Sequence, residues 1–304
     1  FYDKDKKPTL NNEGAAGYRM KYDERNLLTE QLSLGMDLEP AFNNNHICIE
    51  RYKYDKRGNL TQVAFYDKTG EQLVRNAENI AGYDIRYDDL GHELERSYFD
   101  EKNAPCEALG GFARRVYTYD DNGHLRSERY YNITNALTNV NGTAGTDYVC
   151  DERGNVIVER PVSTSGTLAA GKLEAHYKYD KYDNCTETSL FENGKPAVCG
   201  LGYHRASNVY NSRNLVTETA YYDTDGRPCV LKQKGYAKMT REYDKRGNCV
   251  KRCYFGVNGE AVVGDEGCSI TTCEYDVFGN VTRECFFGTA GKPTDGRPCV
   301  LKQK

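Results

Sequence analysis

Large apolar or aromatic side chains recur two residues apart just ahead of a polar phrase: Met20/Tyr22, Tyr52/Tyr54, Ile85/Tyr87, Tyr117/Tyr119, Tyr148/Cys150 and Tyr177/Tyr179. A period of two on one face marks a half-buried β-strand. Beyond the phrase, Leu28, Leu60, Leu125, Val156, Cys185, Val216, Cys249 and Val281 hold matching places. At the place four residues on stand Leu32, Ala64, Ser97, Ser189, Ala220, Cys253 and Cys285, mostly small. The pattern predicts a strand, a tight turn and a second strand, written many times.

The phrase itself is YDKRGN at Tyr54 and, letter for letter, at Tyr243. Related turns begin at Tyr22, Tyr87, Tyr119, Cys150, Tyr179, Tyr210 and Tyr275, with successive spacings of 32, 33, 32, 31, 29, 31, 33 and 32 residues. Such spacing leaves no room for an intervening domain, so residues 1–304 are expected to form one tandem array of about nine repeats. The fifth residue of each copy is Asn26, Gly58, Gly91, Gly123, Gly154, Asp183, Asn214, Gly247 or Gly279. All tolerate positive φ, which a hairpin built from a type I turn and a left-handed residue requires. Asp or Asn in second place suits an Asx-turn. A looser second turn follows about a dozen residues on, as in YYDTDGRPC from Tyr221, and Pro8, Pro105, Pro196, Pro228 and Pro293 come after it. Proline lacks the N–H a ladder needs, so a third segment is expected at an edge or outside the sheet. One repeat cannot bury its apolar face alone, whereas stacked neighbours can. The opening FYDKDKKPT matches the middle of a repeat and reads as a slice of a longer protein.

Composition supports strands. There are 25 Tyr, 10 Phe and no Trp, and Tyr suits a pleated surface buried at the ring and wet at the hydroxyl. The net charge of -4, with both signs interleaved, offers no basic stripe for nucleic acid. No apolar run is long enough to cross a bilayer as a helix.

Candidate chemistry is sparse. The twelve cysteines lack C-x-x-C spacing or a matching His pair. Cys185 and Cys249 replace the core Leu or Val, while Cys253 and Cys285 share the small-residue place of adjacent repeats. Two readings stand: cysteines as small core hydrophobes, or an inter-repeat disulfide between Cys253 and Cys285. The second needs consecutive repeats to stack at roughly 4.8 Å, inside the ~4.4–6.8 Å Cα range of a disulfide. His92 and His124 share a turn position, and no Ser-His-Asp set, carboxylate pair or phosphate loop remains once the turn glycines are explained. No enzymatic activity and no cofactor are expected; calcium on the recurrent Asp23, Asp55, Asp88, Asp120, Asp151, Asp180, Asp244 and Asp276 is the one candidate. DGRPCVLKQK at Asp225 recurs verbatim and out of register at Asp295.

The nine Tyr-Asp-x-x-Gly-like turns resemble the YD-repeat, or RHS-repeat, family, over nearly the whole chain. The resemblance implies β-hairpin ribbons that spiral into a solenoid or shell wall in large bacterial surface and secreted proteins and in animal teneurins. Roles implied are encapsulation, adhesion and extracellular scaffolding. The period here is longer than the family's usual spacing, and the shell-closing core with its self-cleaving aspartates has no counterpart. The expectation is an all-β, non-enzymatic structural segment, extracellular or at the cell surface. Its partners are neighbouring repeats or further copies joined end to end, and possible cell-surface glycans or proteins. The alternative is a carbohydrate- or cell-wall-binding module that uses Tyr rings as platforms.

Overall fold

Each tight turn joins two antiparallel strands in the computed structural model, which describes residues 1–294 and 300–301. The duplicated DGRPCVLKQK from Asp295, Val300 and Leu301 excepted, lies outside the described residues. The chain is all-β, with no helix among the described residues. It packs as two compact units, Phe1–Asp147 with Pro161–Ala170, and Tyr148–Arg160 with Gly171–Lys304. The division runs inside the hairpin of the fifth repeat, through which the repeat phrase continues in the sequence.

In the first unit the hairpins are β1 (Gly17–Tyr22) with β2 (Leu28–Leu34), β3 (Ile49–Tyr54) with β4 (Leu60–Tyr66), β5 (Gly82–Tyr87) with β6 (Glu93–Phe99), and β7 (Arg114–Tyr119) with β8 (Leu125–Tyr131). β9 (Gly145–Cys150) and β10 (Val156–Val162) come next in the chain. In the second unit are β11 (Glu174–Tyr179), β12 (Cys185–Glu192) and the short β13 (Lys195–Pro196), then β14 (Arg205–Tyr210) with β15 (Val216–Tyr222). The last hairpins are β16 (Lys238–Tyr243) with β17 (Cys249–Phe255), and β18 (Ile270–Tyr275) with β19 (Val281–Phe287); β20 (Val300–Leu301) pairs with β19.

Within a hairpin the pairing runs from base to tip, as from Ile49↔Tyr66 to Tyr54↔Leu60, with a bulge between Lys53 and Tyr54. The bulge recurs one residue before the tip in other repeats, between Arg86 and Tyr87 or Glu242 and Tyr243. Pairing between consecutive hairpins covers three residues nearer the base, such as Glu30↔Arg51, Gln31↔Glu50 and Leu32↔Ile49. The turn ends are therefore left for side chains to join.

The third segment is shorter than a strand. In most repeats it is one bridging residue that pairs with the last residue of the second strand, as in Leu34↔Pro40, Phe99↔Pro105, Tyr222↔Pro228 and Phe287↔Pro293. Proline fits there because one bridge asks for little donation. Beyond the bridge the chain makes a third turn of the same form as the first. Asn76 takes a hydrogen bond from the Asn79 N–H and gives its own to Ile80 O, as Asp55 does with Gly58 and Asn59. Asn11, Asn43, Ala108, Cys199 and Gly264 head matching turns. These third turns also bond to one another, Asn44 N–H to Glu13 O and Ala77 N–H to Asn45 O in one unit, Lys232 N–H to Leu201 O in the other.

The core lies at the base, just after the third turn. Ala16, Cys48, Ala81, Ala113, Ala144, His204, Ala237 and Ser269 occupy one equivalent position, and all are buried. Ala81 shows the backbone setting that these residues share. Its N–H donates to Phe99 O in its own hairpin and its carbonyl accepts from Phe65 N–H of the hairpin before, so backbone closes in on both sides. Around this column, Ile47, Val63, Phe65, Ile80, Cys106 and Ala108 form a core in the first unit. Leu231, Tyr236, Met239, Tyr254 and Cys268 do so in the second.

Candidate functional site

The repeated surface is the row of tight turns, and its chemistry starts with one carboxylate. Asp55 Oδ1 accepts the backbone N–H groups of Arg57 at 2.8 Å and Asn59 at 2.9 Å. Asp244 does the same with Arg246 and Asn248, and Asn211 with Arg213 and Leu215. The fifth residues all adopt positive φ: 63° at Asn26 and Asp183, 58° at Asn214, and 83–94° at Gly58, Gly91, Gly123, Gly154, Gly247 and Gly279. With φ there, the chain reverses within five residues and delivers Tyr to one side of the tip.

That Tyr crosses to the preceding repeat. Tyr54 Oη donates to Leu28 O, Tyr87 to Leu60 O and Tyr119 to Glu93 O. In the second unit Tyr179 bonds Val156 O, Tyr210 bonds Cys185 O, Tyr243 bonds Val216 O and Tyr275 bonds Cys249 O. The distances lie between 2.7 and 3.0 Å. The acceptor is always the first residue of the preceding second strand, a carbonyl outside the three-residue ladder between hairpins.

A second tie runs the opposite way, and sequence reasoning missed it. Arg25 Nη1 donates to Asp55 O at 2.8 Å, Arg57 to Asp89 O, Arg153 to Asp180 O at 3.0 Å, Arg213 to Lys245 O at 2.9 Å and Arg246 to Val277 O at 2.9 Å. The signal was present, since Arg stands fourth in five of the nine turn phrases. Its meaning depends on which carbonyl lies beside it in the next turn. Side-chain amides add further links, Asn155 Nδ2 to Asp183 Oδ1 at 2.8 Å and Asn184 Nδ2 to Asn214 Oδ1 at 3.1 Å.

These bonds shift the titrating groups in opposite senses. The Leu27 N–H holds the Asp23 carboxyl below its ordinary 3.8, the His124 N–H does so for Asp120, and the side-chain amides of Asn184 and Asn248 for Asp180 and Asp244. Burial raises the Tyr54, Tyr87, Tyr119, Tyr179, Tyr210, Tyr243 and Tyr275 phenols above 10.0. A lowered carboxyl contributes stability above its unfolded pKa and loses it as pH falls through the folded value; a raised phenol contributes below its unfolded pKa and loses it as pH rises. Stability measured by urea unfolding is therefore expected to be level at neutral pH, to fall below about pH 3.8 and to fall again above about pH 10. A profile that rises into acid would contradict the turn assignment.

The remaining candidates do not converge. His92 Nδ1 contacts Asp88 Oδ2 at 2.8 Å and its ring stacks on Tyr119 at 4.7 Å; His124 Nδ1 lies 3.4 Å from Asp120 Oδ2. Each histidine braces its own turn, and His92 also packs on Tyr119 of the next repeat. Among the described residues no three His, Cys, Asp or Glu side chains gather as a metal-binding group. The expected Cys253–Cys285 disulfide is corrected: Cys253 is a free thiol, and Cys285, which is disulfide-bonded, stands two strands away. Cys253 pairs with Ile270 on β18, and Cys285 pairs with Thr272 on the far side of that strand. Each repeat contributes two strands, so equivalent positions lie about two spacings, roughly 9.6 Å, apart, beyond disulfide reach. Cys48, Cys106 and Cys268 are buried thiols, and Cys185 and Cys249 are half-buried ones.

No family model and no curated protein matches the chain. Among solved structures it is similar to chains in the crystal structures of TcdB2-TccC3-TEV and of TcdB2-TccC3 without hypervariable C-terminal region, each at 15% identity and a TM-score of 0.49. Those likenesses cover 92% and 93% of this chain and 12% of theirs. A chain of the Photorhabdus luminescens Tc holotoxin pore is similar at 14% identity and a TM-score of 0.43, over 88% of this chain and 13% of that one. The chain thus spans about an eighth of the length of the chains it is similar to.

Proposed function

We propose that this chain is a non-enzymatic structural segment of a larger bacterial protein of the YD-repeat kind, secreted or displayed at the cell surface, where it serves as scaffold or wall. The observation that carries the reading is the use of the repeated phrase: Tyr, Asp and Arg are spent on the turn and on neighbouring repeats. A ligand-binding repeat would leave their polar atoms unbonded. Of the Tyr residues, Tyr2, Tyr22 and Tyr182 stand out as widely exposed, at 64%, 54% and 61%, and of these Tyr22 alone heads one of the nine tight turns. The anchor rings therefore do not form a row of sugar platforms. The partners in this reading are adjacent repeats, and no cofactor is assigned to it.

Tyr243→Phe separates the scaffold from the platform reading. It keeps the ring and removes the bond to Val216 O, so a loss of about 1 kcal/mol is expected, with faster amide exchange in β15 and β16 on both sides of the tie. Unchanged stability together with lost binding to a glycan array would favour the platform reading instead.

A further inference from the structure

One cleft in the first unit falls outside the repeat logic. It encloses about 300 Å³ between the second turns of two successive repeats. Its back wall is a row of three side chains on three neighbouring strands, because Asp84 pairs with Ser97 and Ser97 pairs with Arg114. Two residues along, Gly82 faces Phe99, and a Cβ there would lie 2.3 Å from the Phe99 ring. The missing side chain lets that ring settle as the floor, with Pro105 beside it and the half-exposed Ile133 at the rim. In the preceding repeat the place of Asp84 is taken by Arg51, which reaches across to Gly70 O at 2.9 Å and occupies the space.

The polar groups are held in set directions. Arg114 donates to Glu95 Oε2 at 3.1 Å and to Asn135 Oδ1, and its guanidinium lies over the Tyr131 ring. Asn135 thus spends its oxygen on Arg114, and Asn132 spends its own on the N–H groups of Thr134 and Ala136, so both turn amide N–H donors outward. Asp84 Oδ1 accepts a hydrogen bond from Gln62 Nε2 at 2.7 Å, which leaves Oδ2 as an acceptor. The cleft therefore offers fixed donors, one carboxylate acceptor and the two-way hydroxyl of Ser97 over an apolar floor.

A carboxylate or phosphate ligand would meet the Asp84 carboxylate, and an ammonium would meet Arg114 and the amide donors. A hydroxyl both donates and accepts, and a ring carrying several of them with one C–H face satisfies wall and floor together. We propose that this cleft binds one neutral sugar ring, such as the terminal residue of a saccharide, and volume near the lower bound of ligand pockets fits a single ring. The proposal is independent of the scaffold reading, since it uses none of the turn Tyr residues.

The test uses the full chain with a panel of neutral and acidic mono- and disaccharides, read by saturation-transfer NMR and calorimetric titration. At least one neutral sugar is expected to bind in the millimolar range, with transfer to its C–H face. Asp84→Ala, at an exposed position, should weaken it by about tenfold without moving the melting temperature. Ser97→Phe, which fills the cleft, should abolish it. Binding of no panel member, preference for acidic sugars, or affinity unchanged in Asp84→Ala would each overturn the assignment, whether or not Ser97→Phe folds.

Discussion

Gly145→Ala is expected to destabilise the first unit by on the order of 4 kcal/mol, combining a disfavoured backbone conformation with overpacking. Gly145 has φ of 149°, and a Cβ built on it would stand 1.9 Å from Glu128 O and 3.0 Å from Arg129 Cα. Those atoms belong to β8, whose pairing with β9 through Arg129↔Gly145 and Glu128↔Thr146 joins one repeat to the next. A backbone carbonyl cannot swing aside as a side chain can, so the strands must part where the ladder is only three residues deep. Gly91 is the control. Its φ of 93° is also left-handed, yet nothing lies within 4 Å of its Cβ position, and Gly91→Ala should cost only about 1–2 kcal/mol of backbone strain. Urea unfolding of both variants, with amide exchange at Ala144 to Asp147, checks the difference. Equal costs would mean that the close approach at β8 does not exist in solution.

The hairpins were legible because their signals are local: alternation on each strand and a five-residue phrase at each turn need no knowledge of the neighbours. The third turn was hidden for the opposite reason. Its first residue is Asn76 in one copy, Ala108 or Cys199 in others and Gly264 in another; backbone bonds supply the geometry, so side-chain identity is free to vary. The buried column at the base was equally hard to see, since Ala81, His204 and Ser269 share a backbone setting rather than a residue type. The disulfide expectation erred in setting consecutive repeats one strand spacing apart, although each repeat contributes two strands. Both ties at the turn row depend on the same quantity. Which carbonyl Tyr243 or Arg246 reaches is set by the offset between neighbouring hairpins, which the sequence of one repeat does not contain.

Tyr254→Ala is expected to cost the second unit about 3–5 kcal/mol, the range for truncating a buried aromatic. Tyr254 is 2% exposed and packs among Leu231, Tyr236, Met239 and Cys268. Its ring lies 4.8 Å from that of Tyr236, which continues through Tyr221 to Tyr203. The rings alternate between second strands and third turns, so a cavity at Tyr254 withdraws support from two repeats at once. Burial also raises its phenol well above the ordinary value, and Tyr254→Phe, which keeps the ring, should cost about 1 kcal/mol. Tyr182 sits at an exposed tip, and Tyr182→Ala should stay within about 0.5 kcal/mol. In an array held by nearest-neighbour contacts, the loss at Tyr254 should spread beyond its own strand. Amide exchange is expected to quicken in β16 and β17 and around Leu231 on the adjacent third turn. Faster exchange confined to β17 would show that the aromatic run fills space without coupling the repeats.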